Sequence, residues 1–151
     1  MSTRLTKNDV PMVDSWTLKL VQNASKLHDL TTKRLCSELM EKGYVITPAS
    51  LSFLSTLECG VNYASEIARK LGVSRQMVAK TVKELCSKGY LEQIEGVGKQ
   101  KEILFTKLGE SLISDSRQIL ADIDAKLVKK LKKGSIETTL KAMELVQKEL
   151  S

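Results

Sequence analysis

Arg75, Gln76, Lys80 and Lys83 follow one another at intervals of one, four and three residues, in a stretch free of Pro and Gly. Such intervals place them on one face of a helix, with Ala79 among them. The arginine fork presents a rigid set of donors, the glutamine amide offers one donor and one acceptor, and the lysines add mobile positive charge. That set binds flat acceptor edges and phosphate oxygens. It supplies neither a nucleophile nor a base to activate one.

The elements that must position these side chains lie within Asn62–Lys101. Ile67, Ala68 and Leu71 recur at helical spacing and predict a short helix with one inward face. Gly72 follows, where a left-handed backbone costs glycine least. Val73 is expected buried at the turn, and Ser74 is expected to cap the next helix. Val78, Val82 and Leu85 form that helix's inward stripe, which leaves Arg75, Gln76, Ala79, Lys80 and Lys83 facing out. Lys88-Gly89 ends it. Tyr90, Leu91 and Ile94, a Gly-Val-Gly tip and then Ile103, Leu104 and Phe105 predict a two-stranded ribbon. Helix, turn, helix and ribbon in this order make a winged helix-turn-helix.

The charge distribution agrees with this picture. Asn62–Lys101 holds eight Lys/Arg against four acids, which is four of the chain's net six positive charges in about a quarter of its 151 residues. A solvated surface would explain the composition but not its coincidence with the motif, whereas a nucleic-acid partner explains both. No apolar run is long enough to span a membrane, and the N-terminus lacks the apolar stretch of a signal peptide. Cys36, Cys59 and Cys86 are odd in number and far apart, with no metal-ligand spacing, which suits a reducing cytoplasm. His28 is the only histidine. No catalytic residue, metal site or cofactor is expected, and the chain is not read as an enzyme.

Three regions follow. Residues 1–10 are polar and expected to be flexible. Residues 11–45 and 107–151 form a helical dimerisation layer, and 46–106 form the winged domain. A long helix is predicted from about Pro11 to Lys42, carrying Trp16, Leu20, Leu27, Leu30, Leu35 and Leu39, with a bend or break at Thr31-Thr32. Thr47-Pro48 starts a helix through Leu57 that buries Leu51, Leu54 and Leu57 beside Phe53. A further long helix after Thr106 repeats Leu108, Leu112, Ile119, Ile123, Leu127 and Leu131 in near-heptad fashion, and Gly134 is expected to stop it. A last helix aligns Ile136, Leu140, Met143 and Leu150. The fold class is mainly α, a winged helix-turn-helix with a two-stranded β-wing and long terminal helices. Trp16, Leu127, Leu131, Leu140 and Met143 are the candidate dimer contacts.

From about Leu27 to Leu150 the sequence resembles the multiple antibiotic resistance regulator (MarR) family of bacterial transcription factors. The resemblance rests on Thr47-Pro48 with Leu54 and Leu57, Glu66-Ile67-Ala68, Leu71-Gly72-Val73-Ser74, Leu85 with Lys88-Gly89-Tyr90-Leu91, and Phe105-Thr106 with Gly109. It implies a homodimer on a pseudo-palindromic operator in double-stranded DNA, with repression relieved by a small aromatic effector or by thiol oxidation. One departure stands out. Where the family's wing usually carries Asp-x-Arg, this chain has Val97 and Lys99; Gln93 replaces a common arginine, and the wing is about three residues short.

On this reading the turn beginning at Ser74 enters the major groove. Arg75 would pair with guanine O6 and N7, and Gln76 with adenine. Lys80 and Lys83 would reach bases or phosphates, Asn62 and Tyr63 phosphates, and Lys99, Gln100 and Lys101 the backbone from the wing. Leu20, Leu27, Phe53 and Leu112 are candidates to line an effector cavity, although core packing explains them equally. The three cysteines are either oxidant sensors or inert thiols, and Cys59 is expected to be the most exposed. The rival readings are a thiol-based redox regulator and a winged-helix protein-interaction module with weakened DNA binding.

Overall fold

The computed structural model describes residues 14–151 apart from 97 and 99. The expected flexible segment 1–10, Pro11, Val97 and Lys99 lie outside the described residues. Six helices and one antiparallel pair of strands follow in order: α1 Trp16–Glu41, α2 Pro48–Ser55, α3 Ala64–Leu71, α4 Arg75–Ser87, β1 Leu91–Glu95, β2 Lys101–Phe105, α5 Lys107–Leu131 and α6 Lys133–Leu150.

Cap chemistry sets most of the helix starts. The hydroxyls of Ser15, Thr47, Ser74 and Thr106 each accept the backbone N–H three residues on, satisfying a donor that has no partner within the helix. α1 runs without interruption through Thr31-Thr32, where a bend was expected. The Thr32 hydroxyl donates to the His28 carbonyl at 2.8 Å without breaking the helix. The change in apolar spacing there marks a change of surroundings instead: Leu35, Cys36 and Leu39 are buried, whereas Trp16, Leu20, Leu27 and Leu30 are exposed.

Ile67 and Ala68 of α3, Val78, Val82 and Leu85 of α4, and Leu51, Phe53 and Leu54 of α2 meet in one core, closed by Leu91, Ile103, Leu112 and Ile119. Leu57 and Val73, expected inside, sit half-buried at its margin. Leu71 is exposed because α3 ends there, at Gly72 with φ +64°, before the helix turns it inward. α2 stops at Ser55, short of the expected Leu57, with the Thr56 hydroxyl bonded back to the Phe53 carbonyl.

The strands pair from Leu91↔Phe105 to Glu95↔Lys101. Only the base of this ribbon touches the core, so Ile94, expected among the packed residues, points to solvent. Two tyrosines fasten the α1–α2 loop to its neighbours. The Tyr44 hydroxyl donates to Asp115 of α5 at 2.6 Å, and the Tyr90 hydroxyl accepts from Val45 N–H at 2.8 Å.

Gly134 does not stop α5. The chain breaks at Lys132, which has φ +61° and ψ 143°, and Gly134 lies in the first turn of α6. No residue of α6 is fully buried, though Ile136, Met143 and Val146 are half-buried along one side.

Candidate nucleic-acid interface

α4 is built to hold one face inward. Val78, Val82 and Leu85 are almost completely enclosed, and Ser74 starts the helix with its hydroxyl 3.1 Å from the Met77 N–H. Arg75, Gln76, Ala79, Lys80 and Lys83 therefore project to solvent. Among the described residues, none of the three cations joins an ion pair. The face is thus positively charged, rich in donors and held on a rigid element. Ser74 is exposed too, but its oxygen is already engaged as the cap.

Met77 is exposed beside Gln76 and Lys80, and sequence reasoning did not include it among the site residues. Its signal was present: it stands immediately before the inward Val78 and outside the Val78–Val82–Leu85 stripe. An apolar side chain there offers contact with a thymine methyl group.

Asn62 is a correction. Expected to touch phosphate, it is 5% exposed, and its side-chain amide is spent on the backbone of the loop before α3 and of β2. Tyr63 occupies the N-cap position of α3, half-buried, with no capping bond from its side chain. Gln100 and Lys101 are exposed at the far end of the ribbon, Lys101 opposite Glu95.

The four candidates for an effector cavity do not come together. Leu20 and Leu27 are exposed on the first half of α1, and Leu112 is wholly enclosed in the core. Phe53 alone lines a groove, of about 600 Å³, between α2 and α4. Leu71, Val73, Met77 and Val78 give it an apolar wall, and Lys80 and Glu84 are the charged residues on its lining. Three of these, Leu71, Val73 and Val78, were expected to be core, so the groove could not be read from core spacing alone.

Of the candidate dimer contacts, Trp16 is 83% exposed, Leu127, Leu131 and Leu140 are exposed, and Met143 is half-buried. Cys59 is exposed, Cys86 half-buried and Cys36 buried. Burial pushes the Cys36 thiol pKa up, and burial together with the nearby Glu92 charge does the same to Cys86, which disfavours the reactive thiolate. His28 is exposed, 3.5 Å from Asp29. Among the described residues no cluster of His, Cys, Asp and Glu could hold a metal, and no helix is long and apolar enough to cross a membrane.

No family model matches the sequence, and no curated protein is significantly similar to it. Solved structures are similar in fold. E. coli MarR in its apo form superposes with a TM-score of 0.68 at 18% identity, covering 89% of this chain and 97% of that one. MepR, a transcription regulator of the Staphylococcus aureus multidrug efflux pump MepA, gives 0.70 at 16% identity over 91% of this chain and all of MepR. The S. aureus MepR–DNA complex gives 0.68 at 16% identity, covering 92% and 100%. With helix order, capped turn and ribbon all in place, the chain has the winged helix-turn-helix fold of the MarR-type regulators.

Proposed function

We propose that this chain is a homodimeric, sequence-specific DNA-binding transcriptional regulator, a repressor acting at a pseudo-palindromic operator and modulated by a small ligand. The observation that carries this reading is α4. It is anchored by three enclosed aliphatic residues, and its opposite face displays Arg75, Gln76, Lys80 and Lys83 without intramolecular ion pairs among the described residues. An arginine and a glutamine in the first turn suit guanine and adenine edges, and the lysines suit phosphates. The similarity in fold to MepR bound to DNA supports the same use of the domain.

The homodimer is supported by apolar side chains exposed at both ends of the chain: Trp16, Leu20 and Leu27 on α1, Leu127 and Leu131 on α5, and Leu140 on α6. Patches of this kind on a small chain mark association surfaces. Ligand control is supported by the groove between α2 and α4. Its apolar wall with Lys80 beside it suits a small aromatic acid, and an occupant would lie against the face that reads DNA. Thiol sensing has weaker support, because burial raises the thiol pKa of Cys36 and, together with the Glu92 charge, that of Cys86.

The test is selection of bound fragments from random duplex DNA by the purified chain, with competitor DNA at near-physiological salt. The expected product is an inverted repeat with half-sites about one helical turn apart. Arg75→Ala should weaken binding to that site by about 1–3 kcal/mol. Recovery of no motif by folded protein, or full affinity in Arg75→Ala, would refute the reading.

A further inference from the structure

Asn62 makes a set of bonds that a surface contact residue has no use for. Its Oδ1 accepts from Glu58 N–H at 2.9 Å, and its Nδ2 donates to the Glu58 carbonyl at 2.9 Å. The same nitrogen lies 3.3 Å from the Gly60 carbonyl and 3.5 Å from that of Ile103. Its two amide protons are thus fully used within the protein. The main chain of Asn62 adds a reciprocal pair with Ile103, N–H to carbonyl at 3.0 Å and carbonyl to N–H at 2.9 Å. β2 therefore lies between two neighbours at Ile103: Asn62 takes both of its main-chain bonds on one edge, and Gln93 of β1 faces it in register on the other.

The position of this fastening gives it a purpose. The ribbon is held at its base by the Lys88–Tyr90 turn at one end and by Thr106 at the other, where Thr106 N–H bonds the Tyr90 carbonyl. Asn62 grips β2 further out, two residues from Lys101. The loop it closes is tied in turn to α3, through Glu58 and Lys70 at 3.1 Å, and α3 packs on α4. A continuous path thus runs from α4 through α3 and the loop to the middle of β2.

We infer that Asn62 is a positioning residue: it sets where the wing, and Lys101 on it, stands relative to the reading face of α4. The inference rests on the DNA-binding reading above. Lys101 then contributes its phosphate contact only while β2 is held.

A direct contact and a positioning role separate by salt dependence. Asparagine is neutral, so losing a direct asparagine contact releases no fewer counterions. Losing the Lys101 contact lowers the slope of log affinity against log salt by about 0.9. Affinity for the selected duplex would be measured from low to moderate KCl for wild type, Asn62→Ala, Asn62→Leu, Lys101→Ala and the double variant Asn62→Ala with Lys101→Ala. Asn62→Leu keeps the branched shape, removes the donors and adds no charge, so it serves should the alanine variant fold poorly. The expected result is the same lowered slope in the Asn62 variants and in Lys101→Ala, with no further drop in the double variant. Weakened binding with an unchanged slope, unchanged binding, or slope losses that add in the double variant would each overturn the inference. Amide hydrogen exchange at Ile103 in the free protein judges the fastening without DNA. Faster exchange in Asn62→Ala supports it and unchanged exchange overturns it, even if wild type binds no duplex and the DNA reading itself falls.

Discussion

Gly109→Ala sets two effects of opposite sign against each other. Gly109 is in the first turn of α5, where alanine would ordinarily improve helix propensity by about 1 kcal/mol. A Cβ at this position, however, would stand 2.1 Å from the Tyr90 carbonyl oxygen and 3.0 Å from both its carbon and Phe105 Cδ1. The obstacle is backbone, and it is fixed. The Tyr90 carbonyl accepts Thr106 N–H at 3.1 Å, while the Thr106 hydroxyl caps α5 at Gly109 N–H and also donates to the Gly89 carbonyl. Relief therefore requires α5 to move away from the base of the wing by about an ångström, enough to restore ordinary van der Waals separation. Overpacking of this kind costs about 1–3 kcal/mol, and stretching the Thr106–Tyr90 bond leaves a poorly satisfied carbonyl for about 1–3 more. After the propensity gain, the net loss is about 1–5 kcal/mol. With a urea m-value of about 2 kcal/mol/M, the unfolding midpoint should fall by about 0.5–2.5 M. Gly134→Ala is the internal control. It lies in the first turn of α6 with nothing within 4 Å of the added Cβ, so propensity alone should act and the midpoint should rise slightly. If Gly109→Ala also raises the midpoint, the close approach does not exist as described.

Three further outcomes follow from particular groups. The Tyr44 hydroxyl donates to Asp115, and this bond, with burial and the Asp115 charge, raises its pKa from 10.0 to about 12. Because the folded-state pKa lies above the unfolded one, the stabilisation is complete below about pH 10 and is lost as pH rises towards 12. Tyr44→Phe should therefore flatten that part of the stability–pH curve, and an unchanged alkaline limb would show that the bond does not form. Lys132 holds a backbone conformation that L-residues resist, so Lys132→Gly should raise the urea midpoint by the equivalent of about 1 kcal/mol. A lower midpoint would mean that contacts of the lysine side chain matter more than backbone strain. In native protein a chromogenic disulfide should titrate Cys59 quickly, with Cys36 and Cys86 following slowly; three fast thiols would contradict the burial and pKa shifts of the latter pair.

The parts of the fold legible in the sequence are those decided within one or two helical turns. Thr47-Pro48, Ser74 and Thr106 start helices through bonds to residues three positions on. Gly72 ends α3 by adopting the left-handed conformation its residue type favours. Val78, Val82 and Leu85 face inward because helical periodicity alone aligns them. The outward face of α4 followed by subtraction. Gly134 misled because a glycine near a predicted helix end reads as a stop, yet the break fell two residues earlier at Lys132.

The rest depended on contacts remote in sequence. Asn62, beside a helix start and in a basic stretch, has the local signature of a phosphate ligand. Its burial is decided by Ile103, forty-one residues away, which local patterning does not reveal. Leu71 and Ile94 fit their apolar periodicities but fall where α3 ends and where the ribbon leaves the core, so the pattern names a face without a neighbour to cover it. The four residues picked for an effector cavity scattered for the same reason: being apolar at helical spacing says that a side chain seeks cover, not which cover it finds. The two halves of the proposed interface therefore differ in kind. The outward face of α4 is set by the helix's own periodicity, while the placement of the wing hangs on a few long-range bonds. If the domain binds DNA as proposed, substitutions that alter specificity belong on the first, and those that alter how rigidly the domain presents its charge belong on the second.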